Sequence, residues 1–321
     1  MSGVGVMCIS RVSAEVQALT RAALQKSALW LAYQQESAGG DAQGAALLLF
    51  GMGCALGALD PSERPAECLT AVESLTHEVA DAWRSRQSNL TKDVWIGSFV
   101  TPMMAAGSLR GLGKASAEAL GATLDVVWHT SEVKGWLEED PTLLWSGKRL
   151  VHLLSGHSRD GWSRVWWRSQ ISELVSPYAA DAACIRQVCV DLAALSAYGQ
   201  LAPPLPASEK DYLEKALPFW LFCYVKDQDL DMVCPLLRGL HYMGVQSNPE
   251  FQDAIGFVLR RSSADGRFTM REAAVHLHSS DGRHGDQVSR LIYLPLTVAS
   301  VWALVESVFP SNAPFRLNSH A

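Results

Sequence analysis

Three groups of residues in this 321-residue chain have the types and spacing for proton transfer or metal binding. His241 and Tyr242 are adjacent in RGLHYMG, and on an inward-facing helix either could move a proton. His152 lies in KRLVHLLSGHSRDGW, followed by His157, Arg159 and Asp160; a His and an Asp three residues apart can orient one another for acid–base work. The commoner role of such a histidine is to end a helix beside a polar turn. The densest cluster is AVHLHSSDGRHGDQ, where His276 and His278 stand two apart with Asp281, His284 and Asp286 after them. Two histidines in an extended loop can share zinc or iron. Yet the cluster has neither a Cys-x-x-Cys partner nor a helical His-x-x-x-His register, so a solvated loop is the expected reading. No metal or other cofactor is expected.

Acidic residues recur just before apolar helical stretches: Asp41, Asp93, Asp140, Asp229 with Asp231, and Asp286. Asp93 and Asp286 each stand nine residues before a proline, Pro102 and Pro295. Their ordinary role is to cap helices, where a carboxylate accepts from unpaired amides and meets the positive end of the helix dipole. If those helices start at one rim of a ring, the same carboxylates converge on its mouth, with Asp286 able to supply a proton and Asp93 and Asp231 able to bind a substrate. There are eleven tryptophans. Most must pack the core, while Trp145 and Trp302, on helices read as inner, are the candidates to line a cavity.

What must position these groups is an all-α scaffold. Apolar residues recur at spacings of three and four from end to end, and no alternating run is bounded by a two-residue hairpin turn. Start and stop signals give twelve helices: Ser13–Glu36, Gln43–Ala58, Ser62–Gln87, Pro102–Leu112, Ala115–Leu137, Pro141–Leu154, Ser163–Val175, Pro177–Tyr198, Ser208–Lys226, Asp231–Val245, Pro249–Arg261 and Tyr293–Val308. Pro102, Pro235 and Pro295 occupy matching places in a weak repeat, at helix starts, and Pro141 and Pro177 open two more.

Paired off, the helices make six hairpins of about 53 residues each, close to the period of helical arrays. Such hairpins must stack to bury their apolar faces. A closed (α/α)6 toroid-like barrel is favoured over an open α-solenoid, because Gln43–Ala58, Pro177–Tyr198 and Tyr293–Val308 are apolar around most of their circumference, as an inner layer requires. Similar hairpins flank the proline-rich stretch Leu201–Lys210, so residues 1–321 read as one domain.

Lys plus Arg number 27 against 33 Asp plus Glu, a net charge of −6, which disfavours nucleic acid and anionic membranes as partners. Seven scattered cysteines read as reduced core thiols, and the N-terminus has no secretory pattern; a cytoplasmic protein is expected. The apolar stretch Ala45–Leu59 is shorter than the roughly 20 residues of a membrane span. There is no Walker A sequence, no Gly-x-Ser-x-Gly elbow and no dinucleotide-binding glycine motif.

RRSSADGRF (Arg260–Phe268), followed by DQVSRLIYLPLTVASVWALVE (Asp286–Glu306), resembles the repeat of α/α-toroid proteins such as terpenoid cyclases, prenyltransferase β subunits and lanthionine cyclases. The resemblance implies an outer helix, an Asp-Gly turn ending in an aromatic, and an inner helix arranged around a central cavity. It covers about a third of the chain. The DxDD motif, the aspartate-rich diphosphate motif and the Cys-His pair of those families are missing, so their catalytic residues do not carry over. The expected function is therefore an enzyme of bacterial-type specialised metabolism doing metal-independent acid–base chemistry on a small apolar or peptide-derived substrate: cyclisation, isomerisation, epimerisation or elimination. The alternative is a non-catalytic helical-repeat module that binds a peptide or a biosynthetic partner protein.

Overall fold

Side-chain caps begin five of the ten α-helices of the computed structural model, which describes residues 12–35, 41–86, 91, 100–112, 115–128, 169–173, 176–270 and 289–315. Ser13 Oγ accepts from the Val16 amide at the start of α1 (Ala14–Tyr33). Asp41 accepts from Gln43 at the start of α2 (Ala42–Ala58). The next helices are α3 (Ala66–Arg86), α4 (Val100–Leu109) and α5 (Ala115–Trp128). Asp181 caps α6 (Ala182–Leu195) through the Cys184 amide at 2.8 Å. Then come α7 (Ala207–Lys226) and α8 (Leu230–Met243), the latter capped by Asp229 and stopped by left-handed Gly244. Asn248 and Pro249 open α9 (Pro249–Arg260), and α10 (Leu294–Val308) follows a π-helical turn over Ser289–Tyr293. Each such cap is worth about 1 kcal/mol. Among the described residues the β pairing is an isolated bridge between Ser262 and Phe268, so the chain is all-α.

The helices pack in two rows. In one row the neighbours run α6, α8, α10, α2, α4; in the other they run α7, α9, α1, α3, α5. Burial separates the rows at α2 and α10, whereas α6, expected to be apolar around most of its circumference, leaves Arg186, Gln187 and Val190 exposed. α2 carries no charged residue and buries most of its side chains, and α10 is buried almost throughout. α9 instead buries one face, through Phe251, Ala254, Ile255 and Val258, and leaves the other to solvent. Full burial of a large apolar side chain contributes about 1.5–3 kcal/mol, so the uniformly apolar helices must lie where neighbours surround them.

Within the buried row the helices run parallel. Between α8 and α10, Cys234 meets Ser300, Arg238 meets Trp302, and Tyr242 meets Glu306. Between α2 and α4, Gln43 bonds Thr101 while Gly53 lies against Ser108. Both numbers of each pair rise together. The second row behaves alike: Arg21 pairs with Asp60 just before α3, and Gln35 just after α1 bonds Ser74 within it. α10, the last described helix, packs on α1 and α2, the first two.

The Asp-Gly turn helps to hold that contact. Ser27 Oγ of α1 donates to the Gly266 carbonyl at 2.7 Å, and the Phe268 amide donates to Thr297 Oγ1 of α10 at 3.1 Å. Gly266 has φ of +95°, and a Cβ there would stand 2.3 Å from the Lys26 carbonyl oxygen. A glycine is therefore required both for the conformation and for the close approach.

Some helix boundaries differ from the sequence reading. Pro177 does not open a helix: residues 177–179 form a turn, and α6 begins at its Asp181 cap because a carboxylate can accept an amide hydrogen and proline cannot. Pro235 lies one turn inside α8, which starts at Leu230 because Asp229 caps it. Gln170–Ser172, expected within the helix Ser163–Val175, is a 3-10 turn. The expected helix Pro141–Leu154 lies outside the described residues. One stretch, Leu291–Val308, is long and apolar enough to cross a bilayer, and 72% of it is buried within the fold.

Candidate functional site

Charged side chains are scarce in the buried row, and two of them, Arg238 and Glu306, lie near its middle without forming an ion pair. α8 carries Arg238 and Tyr242 one turn apart, and α10 carries Trp302 and Glu306 one turn apart. Positions four apart share a helix face, so each helix turns one pair toward the other. Parallel packing sets the pairs level. The Arg238 guanidinium carbon lies 3.5 Å from the centroid of the Trp302 ring. Tyr242 Oη donates to Glu306 Oε2 at 2.7 Å.

Aromatic rings surround Trp302. Phe50 of α2 meets it edge-on at 5.0 Å between centroids, Phe315 edge-on at 6.0 Å, and Tyr198 in a stacked arrangement at 6.3 Å. Tyr198 reaches this place through a left-handed turn after α6, in which Ala197, Tyr198 and Gly199 have φ of 52°, 54° and 81°. For the two non-glycine residues that conformation costs roughly 1–2 kcal/mol each, and packing against Trp302 and Phe315 offsets it.

The electrostatics follow from burial. Glu306 is fully buried, and its Oε1 has no hydrogen-bond partner. Burial pushes this carboxyl from 4.5 up to about 7; the Arg238 charge, the Tyr242 hydroxyl and the Trp302 indole each pull it back without cancelling the rise. Trp302 Nε1 nevertheless makes no hydrogen bond of normal geometry. Burial and the Glu306 charge hold the Tyr242 phenol well above its usual value. The same two causes raise the Cys54 thiol, which disqualifies it as a nucleophile. A carboxyl that titrates near neutrality and holds a bonded phenol can give or take a proton at physiological pH.

The residues singled out in the sequence are placed unevenly. Tyr242 and Trp302 come together in this cluster. His241, adjacent in sequence, turns off the shared face: its Nδ1 accepts from Gln246, and burial lowers its pKa to about 4, so the imidazole is neutral. Asp231 is held by Arg186 of α6 at 2.7 Å, with both side chains nearly half exposed. Asp41 and Asp229 serve as caps. His152, Asp286, Trp145, Asp93, His276 and His278 lie outside the described residues. Among the described residues no group of three or more His, Cys, Asp or Glu is placed to hold a metal.

Glu306 and Arg238 were missed. A signal for the first was present: Glu306 is the only charged residue between Leu291 and Val308. A lone carboxylate in an otherwise apolar inner helix must be buried, and a buried carboxylate is either paired or perturbed. Arg238 was equally visible within VCPLLRGLHYM. Comparison with known proteins adds no identification: no family model, no curated protein and no solved structure matches the chain.

Proposed function

We propose that the chain is an (α/α)6 toroid-like barrel enzyme of specialised metabolism, whose cavity performs metal-independent acid–base chemistry through Glu306 and Tyr242. The packing of α10 on α1 and α2 supports closure, because an open stack of hairpins would hold its first and last members apart. Parallel helices in the buried row, and the Asp-Gly turn seated on α1, fit the same architecture. The segment joining α5 to α6 lies largely outside the described residues.

The observation that carries the chemistry is Glu306 itself. A fully buried carboxyl with one oxygen on a phenol and the other without a partner is costly to maintain, and a purely structural role would be served as well by an apolar residue. Protonated, Glu306 delivers a proton to a basic or unsaturated centre; ionised, it removes one from a carbon or heteroatom acid. Tyr242 donates to the ionised form and holds it in place. Cyclisation, isomerisation, epimerisation and elimination all need such a step.

Metabolite profiles of cells carrying the wild-type chain, Glu306→Gln or no chain test this reading. Loss of the same product in the last two, with the variant folded, is the expected result. A product retained by Glu306→Gln would show that the carboxyl does no chemistry. A profile unchanged by deleting the chain would favour the non-catalytic binding module.

A further inference from the structure

We infer that the molecule received by the buried row carries a carboxylate, and that Arg238 is the group that binds it. The inference rests on the toroid-cavity reading and deepens it by naming the substrate class. Arg238 is half-buried. A guanidinium has five N–H donors. Arg238 Nε and Nη1 are buried without a hydrogen-bond partner, and among the described residues no carboxylate lies within ion-pair distance. Its close contact is the face of Trp302, which attracts the charge but satisfies none of the N–H groups. Glu306, the nearest acid in kind, leaves Oε1 unpaired rather than closing a bridge to it. A cation held in this way awaits an external acceptor.

The surrounding chemistry narrows that acceptor to a monocarboxylate. The five helices of the buried row carry two basic residues, Arg238 and Arg186 of α6, and Arg186 is already paired with Asp231. One guanidinium matches one carboxylate through two parallel hydrogen bonds, whereas a phosphate dianion would be left undercompensated. The partly exposed positions of α2, α4 and α10 are mainly apolar and include Leu47, Met104 and Ala299, with Gln43 and Thr101 bonded to each other. A carboxylate head on Arg238 and an apolar body against these residues describe an amphipathic organic acid. The anion also favours the protonated form of Glu306, which keeps that proton available for transfer.

A carboxylate can belong to a small free acid or to a peptide C-terminus. Tryptophan fluorescence titrations of the full-length protein separate the two, using sodium octanoate, octan-1-ol, inorganic phosphate, and an apolar tetrapeptide with either a free or an amidated C-terminus. At least one carboxylate probe should bind tenfold or more tighter than its neutral counterpart, with phosphate weaker still. Arg238→Gln should reduce that binding at least tenfold, and Arg238→Lys should reduce it less, with circular dichroism confirming that each is folded. Glu306→Gln should retain the binding. Equal affinity for acid and neutral probes, failure of both carboxylate probes to bind, or unchanged binding in both Arg238 variants would overturn the inference. Carboxylate binding through Arg238 in a chain whose Glu306→Gln variant makes every product would uphold it and remove the acid–base reading instead.

Discussion

Tyr242 Oη and Glu306 Oε2 are joined at 2.7 Å inside the protein, between two helices of the buried row, with neither side chain more than 4% exposed. The phenol is the only hydrogen-bond donor to that carboxyl among the described residues. Tyr242→Phe should therefore cost about 1–3 kcal/mol of stability, the penalty for leaving a buried acceptor unpaired. Urea unfolding at pH 7.5, where Glu306 is more ionised, measures it. The double variant Tyr242→Phe/Glu306→Gln should be less destabilised than the sum of the single changes.

Glu306 also gives stability a pH dependence whose sign is fixed. Its carboxyl titrates at about 7 in the fold and at an ordinary 4.5 when unfolded, so between those values the folded state binds the extra proton. Stability from this group is full below pH 4.5 and falls as pH rises through 7, by about 3 kcal/mol for a shift of this size. Asp191, buried and raised to about 6, adds a decline at lower pH, and His241, lowered to about 4, opposes both below 6.5. The clean window is pH 6.5 to 8. There the wild-type protein should lose stability with rising pH, and Glu306→Gln should flatten the curve.

Gly266→Ala tests the clasp between the Asp-Gly turn and α1. The added Cβ meets the Lys26 carbonyl at 2.3 Å and the Ser27 amide nitrogen at 2.8 Å, in a backbone conformation that L-residues rarely adopt. A loss of about 2 kcal/mol or more is expected. Ser27→Ala, which removes one hydrogen bond, should cost about 1 kcal/mol. A wild-type melting curve for Gly266→Ala would mean that the turn does not seat on α1.

Asp231→Asn should change stability by no more than about 0.5 kcal/mol, because its pair with Arg186 is nearly half exposed. Product formation, measured in the same cells as for Glu306→Gln, should be unaffected. A loss of product without a loss of stability would support Asp231 as a substrate-binding residue.

Removing metals should change neither melting temperature nor product formation. Elemental analysis of purified protein checks the same point, with zinc and iron expected well below one per chain. A stoichiometric metal that His276→Ala and His278→Ala abolish would replace the acid–base reading with a metal-dependent one.

Much of the scaffold was legible because helix periodicity and capping are local. Asp41, Asp229 and Pro249 mark helix starts that the structure retains, and the uniform apolarity of Ala42–Ala58 and Leu294–Val308 foretold their burial. The misplaced start at Pro177 has a physical cause: proline there precedes a turn, and an aspartate four residues on, Asp181, supplies the cap. The candidate site was less legible. Histidines drew attention by type, while His241 turns away from the face that Tyr242 shares with Glu306.

The sequence by itself determined an all-α chain and its one-faced and all-apolar helices, since each depends on residues within a few turns of one another. Only the tertiary structure decided that α10 returns to α1 and α2, that α8 and α10 lie parallel, and that Arg238 covers Trp302 one turn from the Tyr242–Glu306 bond. Those partners are more than sixty residues apart. Their pKa shifts and unpaired donors come from desolvation, and desolvation depends on which surfaces meet.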